Sequence, residues 1–360
     1  MMKGLKKWRL FSLLTVMTVF LSACGEEYIS TLRPAGAVGK EQLDILILSI
    51  WIMTLVVVVV SAIYLVAFFK FRRKKVGENH MPKQVEGSHT LEVIWTVIPI
   101  ILLIILAVPT LTYTYKFADV AAMDEVDEEG NKTALTVNVT AKLYWWEFEY
   151  PNQGIITAQE LVVPTGEKVY FNLIASDVKH SFWIPAVGGK MDTNVDGINK
   201  FYLQFDKESA GLNDGEGVFY GKCAELCGPS HALMDFKVKA LEPEAFNAWV
   251  TAMQATEGQT ADRESSDIGE ATFANSCLGC HAVSAVAGNG LGPNLTTFGD
   301  RNRVAGFMDH TVEDTTEWIM DGMEPESKLK PGNLMTGKYN VTPEEAKAIS
   351  EYLMTLTVEK

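Results

Sequence analysis

Twelve residues in the second half of the chain decide how the sequence is interpreted: Cys223-Ala224-Glu225-Leu226-Cys227-Gly228-Pro229-Ser230-His231-Ala232-Leu233-Met234. The stretch combines two thiols, an imidazole and a thioether. Soft sulfur ligands with imidazole suit copper, and a weak axial methionine is typical of copper electron-transfer sites. A second imidazole stands upstream at His180, and two thiolates can bridge two copper ions. We therefore predict a dinuclear copper site. A Cys223–Cys227 disulfide or a zinc site would account for neither Met234 nor His180.

A second motif indicates a covalently bound haem. Cys277-Leu278-Gly279-Cys280-His281 has the spacing of c-type haem attachment, in which two thiols add to the haem vinyl groups and the adjacent histidine binds iron. The alternative is a thioredoxin-like cysteine pair, which would not need His281. A methionine is expected as the other axial ligand. The candidates are Met308, Met320, Met323 and Met335; we choose Met335, in a segment similar to the methionine loop of small cytochromes c, with Met323 second.

Composition and hydropathy place part of the chain in a membrane. The chain has 360 residues and a formal net charge of −14, which argues against nucleic acid as a partner. Apolar runs at about 45–69 and 93–113 each approach the ~20 residues that cross ~30 Å of hydrocarbon. They predict a transmembrane helical hairpin rather than two core helices. The basic cluster at 70–75 places the loop between them in the cytoplasm, so everything after residue 116 is predicted to be extracytoplasmic.

The N-terminus is typical of an exported bacterial lipoprotein. Basic residues precede a short apolar stretch at 10–20, and Leu21-Ser22-Ala23-Cys24 is similar to a lipobox. We predict a signal peptide over residues 1–23 and lipidation of Cys24, with an uncleaved membrane anchor as the alternative. Residues 24–116 would then hold the lipid anchor and both transmembrane helices in the cell membrane.

The rest of the chain divides into a β domain and a helical domain. Apolar residues alternate with polar ones at Leu135, Val137 and Val139, as on half-buried strands, so residues 117–251 are predicted to form a cupredoxin-like sandwich or barrel. Residues 252–266 are polar, lack a periodic apolar face and are predicted to be a flexible linker with a reach on the order of 20 Å.

Residues 267–360 are predicted to be a small all-α cytochrome c domain. Thr342 and Glu345 form a capping box with Pro343 at the first helical position, which predicts the start of a helix. Its apolar face is predicted to carry Ala346, Ile349, Leu353 and Leu356. His310, alone in a polar stretch, is predicted to be a surface residue.

The copper motif resembles the CuA loop of cytochrome c oxidase subunit II. The resemblance runs from the helical hairpin to about residue 245 and includes His180-Ser181-Phe182, Gly189-Lys190-Met191-Asp192 and the segment 91–99. With the haem motif, it indicates a caa-type bacterial haem–copper oxidase. It implies that the copper ligands are His180, Cys223, Cys227, His231, Met234 and the backbone carbonyl of Glu225. It also implies a magnesium ion at the Glu225 carboxylate, shared with subunit I.

The resemblance extends to two groups that move electrons or protons. The segment Tyr144-Trp145-Trp146 corresponds to the family's aromatic segment, at which external cytochrome c donates its electron. The first position, usually tryptophan, is Tyr144 here, which puts docking of a separate cytochrome at this patch in doubt. Glu92, at the cytoplasmic start of the second apolar run, matches the family's carboxylate for proton uptake.

The resemblance implies that the chain passes electrons from its haem c through CuA to haem a of subunit I. Oxygen would be reduced there, with proton translocation. Neither apolar run contains a histidine, so no catalytic residue is expected in this chain. The implied partners are subunit I, further oxidase subunits, membrane lipid, and cytochrome c or another reductase as donor. Two alternatives are a carrier or copper-handling protein that works alone and a CuA subunit of a nitric oxide or nitrous oxide reductase.

Overall fold

The computed structural model describes residues 12, 15, 16, 25–77, 81, 83–130, 132–286 and 290–358. Cys24 lies outside the described residues, as does most of the predicted signal peptide. Contacts within the chain separate two bodies: residues 41–118 form one, and residues 1–40 together with 119–360 form the other.

Long apolar helices make up the first body. Helix α1 spans Ala37–Lys70, the short helix α2 spans Arg73–Val76, and helix α3 spans His89–Ala118. Both long helices are apolar enough to cross a membrane, and their most apolar segments are unburied, as lipid-facing side chains would be. An ion pair between Lys116 and Glu41 joins the end of α3 to the start of α1. The two helices therefore run as the predicted antiparallel hairpin.

A sandwich of two five-stranded sheets forms the β domain, as predicted. Its strands are β1 (Thr136–Lys142), β2 (Trp145–Tyr150), β3 (Ile155–Ala158), β4 (Glu160–Pro164), β5 (Lys168–Ala175), β6 (His180–Trp183), β7 (Met191–Thr193), β8 (Asn199–Gln204), β9 (Phe219–Cys223) and β10 (Asp235–Leu241). The strand orders are β3-β2-β1-β5-β8 and β4-β10-β9-β6-β7. The β1–β5 and β4–β10 pairs are parallel, whereas the other sandwich pairs are antiparallel.

Aromatic side chains fill the space between the two sheets. Trp146 and Phe148 alternate along β2 and are fully buried, and they face Phe182 and Phe236 from the opposite sheet. The rings of Phe182 and Phe236 stack with centroids 4.8 Å apart. Each such side chain contributes on the order of 2–3 kcal/mol through burial. The resulting rigid core supports the loops at one end of the sandwich.

Helix α4 (Pro243–Gln254) follows β10 and packs against strands β3, β4 and β10 of the sandwich. The helical domain then consists of α5 (Ile268–Ser276), a small hairpin of β11 (Arg303–Val304) and β12 (Met308–Asp309), α6 (Val312–Met323) and α7 (Pro343–Met354). The predicted capping box is present at Thr342 and Glu345. The predicted apolar face of α7 is confirmed because Ala346, Ile349 and Leu353 belong to the buried core of this domain.

The segment 252–266, predicted to be a flexible linker, is mostly exposed and is buried at Met253, Thr256 and Ala261. Residues 252–254 end helix α4, and Met253 is fully buried. Thr256 Oγ1 accepts a hydrogen bond from the backbone N–H of Ala285 at 2.9 Å, and Ala261 joins the core of the helical domain. The apolar residues of this segment are too sparse to give a periodic pattern, yet Met253 and Ala261 are buried.

Candidate copper and haem sites

Strand pairing brings the predicted copper ligands together. Strand β9 ends at Cys223 and β10 begins directly after Met234, so Cys227 and His231 lie on the connecting loop. His180 begins β6, and the pairing of β6 with β9 sets Phe182 opposite Cys223. The register therefore delivers a histidine from a distant part of the sequence to the cysteine loop.

The ligand atoms form one compact cluster. Cys223 Sγ lies 3.8 Å from Cys227 Sγ and 3.9 Å from His180 Nδ1. Cys227 Sγ lies 3.7 Å from His231 Nδ1 and 3.8 Å from Met234 Sδ. The backbone carbonyl oxygen of Glu225 is 3.3 Å from Cys223 Sγ. Each sulfur therefore has one imidazole beside it, the arrangement expected for two metal ions bridged by two thiolates.

The cysteine geometry disfavours a disulfide. The sulfur separation of 3.8 Å is far longer than the ~2.05 Å of a disulfide bond. The hydrogen bond between the thiol groups lowers the pKa of Cys223 to about 3, while the neighbouring Cys223 sulfur raises the pKa of Cys227. One thiolate is thus already favoured at neutral pH. A metal cation at this position would favour the second thiolate, that of Cys227.

Asp177 is a functional residue that the sequence reasoning missed. Its Oδ1 accepts a hydrogen bond from His180 Nε2 at 2.8 Å, which leaves Nδ1 facing Cys223. Its Oδ2 accepts the backbone N–H of Leu143 at 2.7 Å. Burial tends to lower the pKa of His180, but hydrogen bonds to Cys223 and Asp177 outweigh it and raise the pKa. A carboxylate behind a ligating histidine fixes its tautomer and ring orientation.

A largely apolar cavity of about 550 Å³ surrounds the haem-attachment motif. Cys277, Cys280 and His281 line it, as does Met335. Most of the remaining wall is apolar and includes Phe273, Leu295, Phe298, Ile319, Ile349 and Leu353. A flat, hydrophobic macrocycle fits such a lining.

The proposed axial ligands of the haem have different surroundings. His281 Nδ1 donates to the carbonyl oxygen of Pro293 at 2.8 Å, so its other ring nitrogen is free to bind iron. Met335 lines the cavity, and its backbone N–H donates to Asn333 Oδ1. By contrast, Met323 Sδ accepts the backbone N–H of Val341 at 3.1 Å and packs against the domain core.

Two buried polar groups support binding of an anionic macrocycle. Arg301 Nε and Asn333 Nδ2 have no hydrogen-bond partner among the described residues, and both side chains line the cavity. Burial lowers the pKa of Arg301 to about 10, so its guanidinium remains charged at neutral pH. The propionate groups of a haem would satisfy such donors.

The predicted aromatic segment lies between the two sites. Tyr144 and Trp145 line the haem cavity, together with Leu143 and Gln159 of the β domain. Tyr144 Oη also fills the space beside Gly228, within the copper loop. Trp146 is buried in the sandwich core and donates its indole N–H to the carbonyl oxygen of Met234 at 3.2 Å. The aromatic segment therefore contacts both the copper loop and the haem cavity.

Three further residues singled out in the sequence are Glu92, Glu225 and His310. Glu92 is exposed in the first turn of α3, and Glu225 is half-buried in the copper loop. His310 is also half-buried: its Nε2 is 2.8 Å from the carbonyl oxygen of Phe298. Burial lowers the pKa of His310, and the prediction that it is a surface residue is wrong because its ring packs on Phe298.

Comparisons with known proteins identify all three parts of the chain. Residues 32–113 match the transmembrane domain of cytochrome c oxidase subunit II, residues 153–241 match its periplasmic domain, and residues 266–357 match cytochrome c. Cytochrome c oxidase subunit 2 of Bacillus sp. strain PS3 is 56% identical over 364 aligned positions, covering 100% of both chains. The Bacillus subtilis subunit is 50% identical, covering 98% of this chain and 99% of the relative.

Among solved structures, the periplasmic domain of subunit II of cytochrome oxidase from Bradyrhizobium japonicum is similar. It is 29% identical with a TM-score of 0.30, and the match covers 32% of this chain and 91% of that one. The two full-length relatives and the three matched regions agree. This chain therefore belongs to the cytochrome c oxidase subunit II family, in the form that carries a fused cytochrome c domain.

Proposed function

We propose that the chain passes electrons from a haem on its own cytochrome domain to a dinuclear copper centre, and from there to haem a of subunit I. Oxygen reduction to water and the coupled proton translocation take place in that partner. The observation that carries the proposal is the cluster in which Cys223 and Cys227 each face one imidazole within 3.9 Å. The full-length oxidase relatives support this role over that of a carrier working alone.

The copper ligands proposed are His180, Cys223, the carbonyl of Glu225, Cys227, His231 and Met234. When bound, copper supplies a one-electron centre whose charge is shared between two metal ions. The protein's part is to hold the ligands still. The sheet register fixes Cys223, and Asp177 fixes the ring of His180. Little then moves on reduction, because the ligands are set by the sandwich rather than by the metal.

For the haem, we propose covalent attachment at Cys277 and Cys280, with His281 and Met335 as axial ligands. Support for His281 comes from its hydrogen bond to Pro293, which orients the ring. Support for Met335 comes from its position on the cavity wall. When bound, the haem supplies a one-electron centre, and a thioether ligand raises its potential.

The segment Tyr144-Trp145-Trp146 is proposed as the route between the two centres. Tyr144 lines the haem cavity and contacts the copper loop at Gly228. Trp146 donates its indole N–H to the backbone carbonyl oxygen of Met234. These contacts form a continuous path of packed groups within one body of the chain. Tyr144 replaces the tryptophan that is usual in the family. The replacement is compatible with a haem on the same chain, because no separate cytochrome then has to dock at this position.

The chain is anchored in the membrane, with its copper and haem domains on the extracytoplasmic side. Within that frame we propose three finer features. Cys24 carries a lipid, the Glu225 carboxylate binds magnesium together with subunit I, and Glu92 assists proton uptake into subunit I. The proposed donor is cytochrome c or another reductase.

Copper analysis of matched cysteine variants tests the proposal. Cys223→Ser should abolish the dinuclear centre and leave the haem attached, because the pair of metal ions loses one of its two bridging thiolates. Cys277→Ser is the reciprocal control and should retain copper while haem attachment is impaired. Elemental analysis and haem absorption of the purified complexes give both readouts. Undiminished copper in Cys223→Ser would overturn the assignment.

A further inference from the structure

The outer face of strand β10 is buried, although its sequence is typical of a strand with one face in solvent. Asp235, Lys237 and Lys239 alternate with the core residues Phe236 and Val238. In a sandwich, such alternation normally directs the charged side chains into water. Here Lys237 is 2% exposed and Lys239 is 9% exposed. Another part of the chain therefore covers this face.

The covering part is the segment 300–309 of the cytochrome domain, called here the docking loop. Lys237 Nζ donates to the carbonyl oxygen of Gly306 at 3.2 Å, and Lys239 Nζ donates to that of Asp300 at 3.0 Å. Gly306 has a φ of +90°, and a β-carbon there would lie 2.6 Å from the carbonyl oxygen of Asp235. The backbone of the docking loop thus approaches β10 closely enough to require glycine.

Acidic groups of the β domain bind the same loop. Glu160 Oε1 accepts the backbone N–H of Asn302 at 2.7 Å, and the Glu216 carbonyl oxygen accepts the Asn302 side-chain amide at 2.9 Å. The Glu216 carboxylate pairs with the guanidinium of Arg303. Lysines of the β domain thus meet carbonyl groups, and its acids meet N–H groups and a guanidinium. This donor-to-acceptor matching is characteristic of a specific interface.

Two contacts outside the docking loop extend the interface. On the edge strand β3, the backbone N–H of Ile156 donates to the carbonyl oxygen of Ala285 at 2.8 Å. Within the copper loop, Ser230 Oγ donates to the carbonyl oxygen of Pro331 at 2.7 Å. Tyr144 is 5% exposed, with Gly332 of the cytochrome domain packed against its ring.

We propose that the docking loop is a permanent interface that holds the cytochrome domain on the outer face of strands β4 and β10 in a single orientation. The domain is then a fixed part of the electron path and not a tethered partner that finds the copper site by diffusion. Because Tyr144 is covered, a soluble redox partner reduces the haem and has no direct access to this aromatic. The statements on the electron path and on the redox partner rest on the proposed function; the interface itself does not.

Hydrogen exchange on the intact, haem-loaded complex tests the interface without any mutation. The backbone N–H groups of Ile156 and Asn302 donate across it. The N–H of Glu264, which donates to Asp262 Oδ1 within an exposed turn, is the matched local control. A fixed interface should slow exchange at Ile156 and Asn302 by about a hundredfold or more relative to Glu264. Exchange at the control rate would overturn the proposal.

Exchanging the charges of Glu216 and Arg303 tests whether this ion pair contributes to the interface. Glu216→Arg and Arg303→Glu should each speed exchange at Asn302 by about tenfold, because each leaves a partly buried charge beside a like charge. The double variant should return exchange toward the wild-type rate. Glu351→Arg, in an exposed pair with Lys347, is the control and should have no effect.

Unchanged exchange in both single variants would contradict the pairing, and the wild-type measurement stands even if a variant fails to fold. Slow exchange combined with slow haem-to-copper transfer would preserve the interface and count against the proposed electron route.

Discussion

Asp177 illustrates how a residue outside the proposed ligand set can fix the orientation of a proposed ligand. Its carboxylate holds the His180 ring on one side and the backbone of Leu143 on the other. Leu143 in turn lines the haem cavity, next to Tyr144. A single side chain therefore links the orientation of a copper ligand to the position of the cavity wall. Such supporting partners commonly affect a metal site almost as strongly as the ligands themselves.

Substitution of Met335 and of Met323 tests which methionine is the axial haem ligand. Met335→Ala should remove the sulfur–iron charge-transfer absorption and lower the haem potential, since a thioether ligand is lost. Met323→Ala is the matched control. Its sulfur accepts a backbone hydrogen bond from Val341, so its loss should reduce stability and leave the haem spectrum intact.

Absorption spectra and redox titration of the two variants decide between the sulfurs. If Met323→Ala abolishes the charge-transfer band and Met335→Ala retains it, the assignment of Met335 is wrong.

Most of the proposed copper ligands stand out in the sequence for a local reason. Cys223, Cys227, His231 and Met234 lie on one short loop, so their spacing alone indicates a site. Asp177 was not predictable in this way, because an aspartate three residues before a histidine is common and acquires meaning only when both face a thiol. His310 was misjudged because the ring of Phe298, on which it packs, is distant in sequence.

At the scale of secondary-structure elements, β10 departs most from its sequence pattern. The alternation of Phe236 and Val238 with charged residues correctly predicts a strand. It cannot reveal that Lys237 and Lys239 are buried, because a second domain covers them. Burial lowers the pKa of Lys237 to about 8, and its ammonium group also lies 3.9 Å from the ring centroid of Tyr220. The alternation of apolar and charged residues thus predicts burial of the inner face of a strand more reliably than exposure of its outer face.

The first turn of helix α3 carries the residue proposed for proton uptake. Glu92 stands in its first turn, where a carboxylate at the membrane edge is costly unless it meets water or a functional partner. Glu92→Gln keeps the shape of the side chain and removes its charge. If Glu92 helps to load protons into subunit I, the variant should slow steady-state oxygen turnover while haem-to-copper electron transfer stays fast.

The matched control is Glu86→Gln, an exposed carboxylate in the segment just before the helix. Oxygen consumption and flash-induced electron transfer are measured on the same preparations. Normal turnover in Glu92→Gln would identify Glu92 as an ordinary interfacial residue.

At the scale of the whole molecule, the fused cytochrome domain changes the kinetics of electron delivery. A separate cytochrome must diffuse and dock, usually steered by charge, so its rate falls with salt. A flexible linker of the predicted reach would by itself raise the effective concentration of the haem domain near the copper site to roughly millimolar. The structure adds polar contacts that join the two domains directly.

We therefore expect haem-to-copper transfer to be first-order, independent of protein concentration and only weakly dependent on ionic strength. Partly buried pairs such as Glu216 with Arg303 are screened much less than exposed ones. Flash-induced reduction of the haem, followed at several dilutions and salt concentrations, provides the measurement. A rate that scales with enzyme concentration would mean that the domain serves neighbouring complexes.

The shared wall of the haem cavity also constrains how the protein matures. Leu143, Tyr144, Trp145 and Gln159 close one side of the cavity, yet they belong to a different domain from the cysteines that bond to the haem. The haem must reach Cys277 and Cys280 while that side is open. We therefore expect haem attachment to precede docking of the two domains.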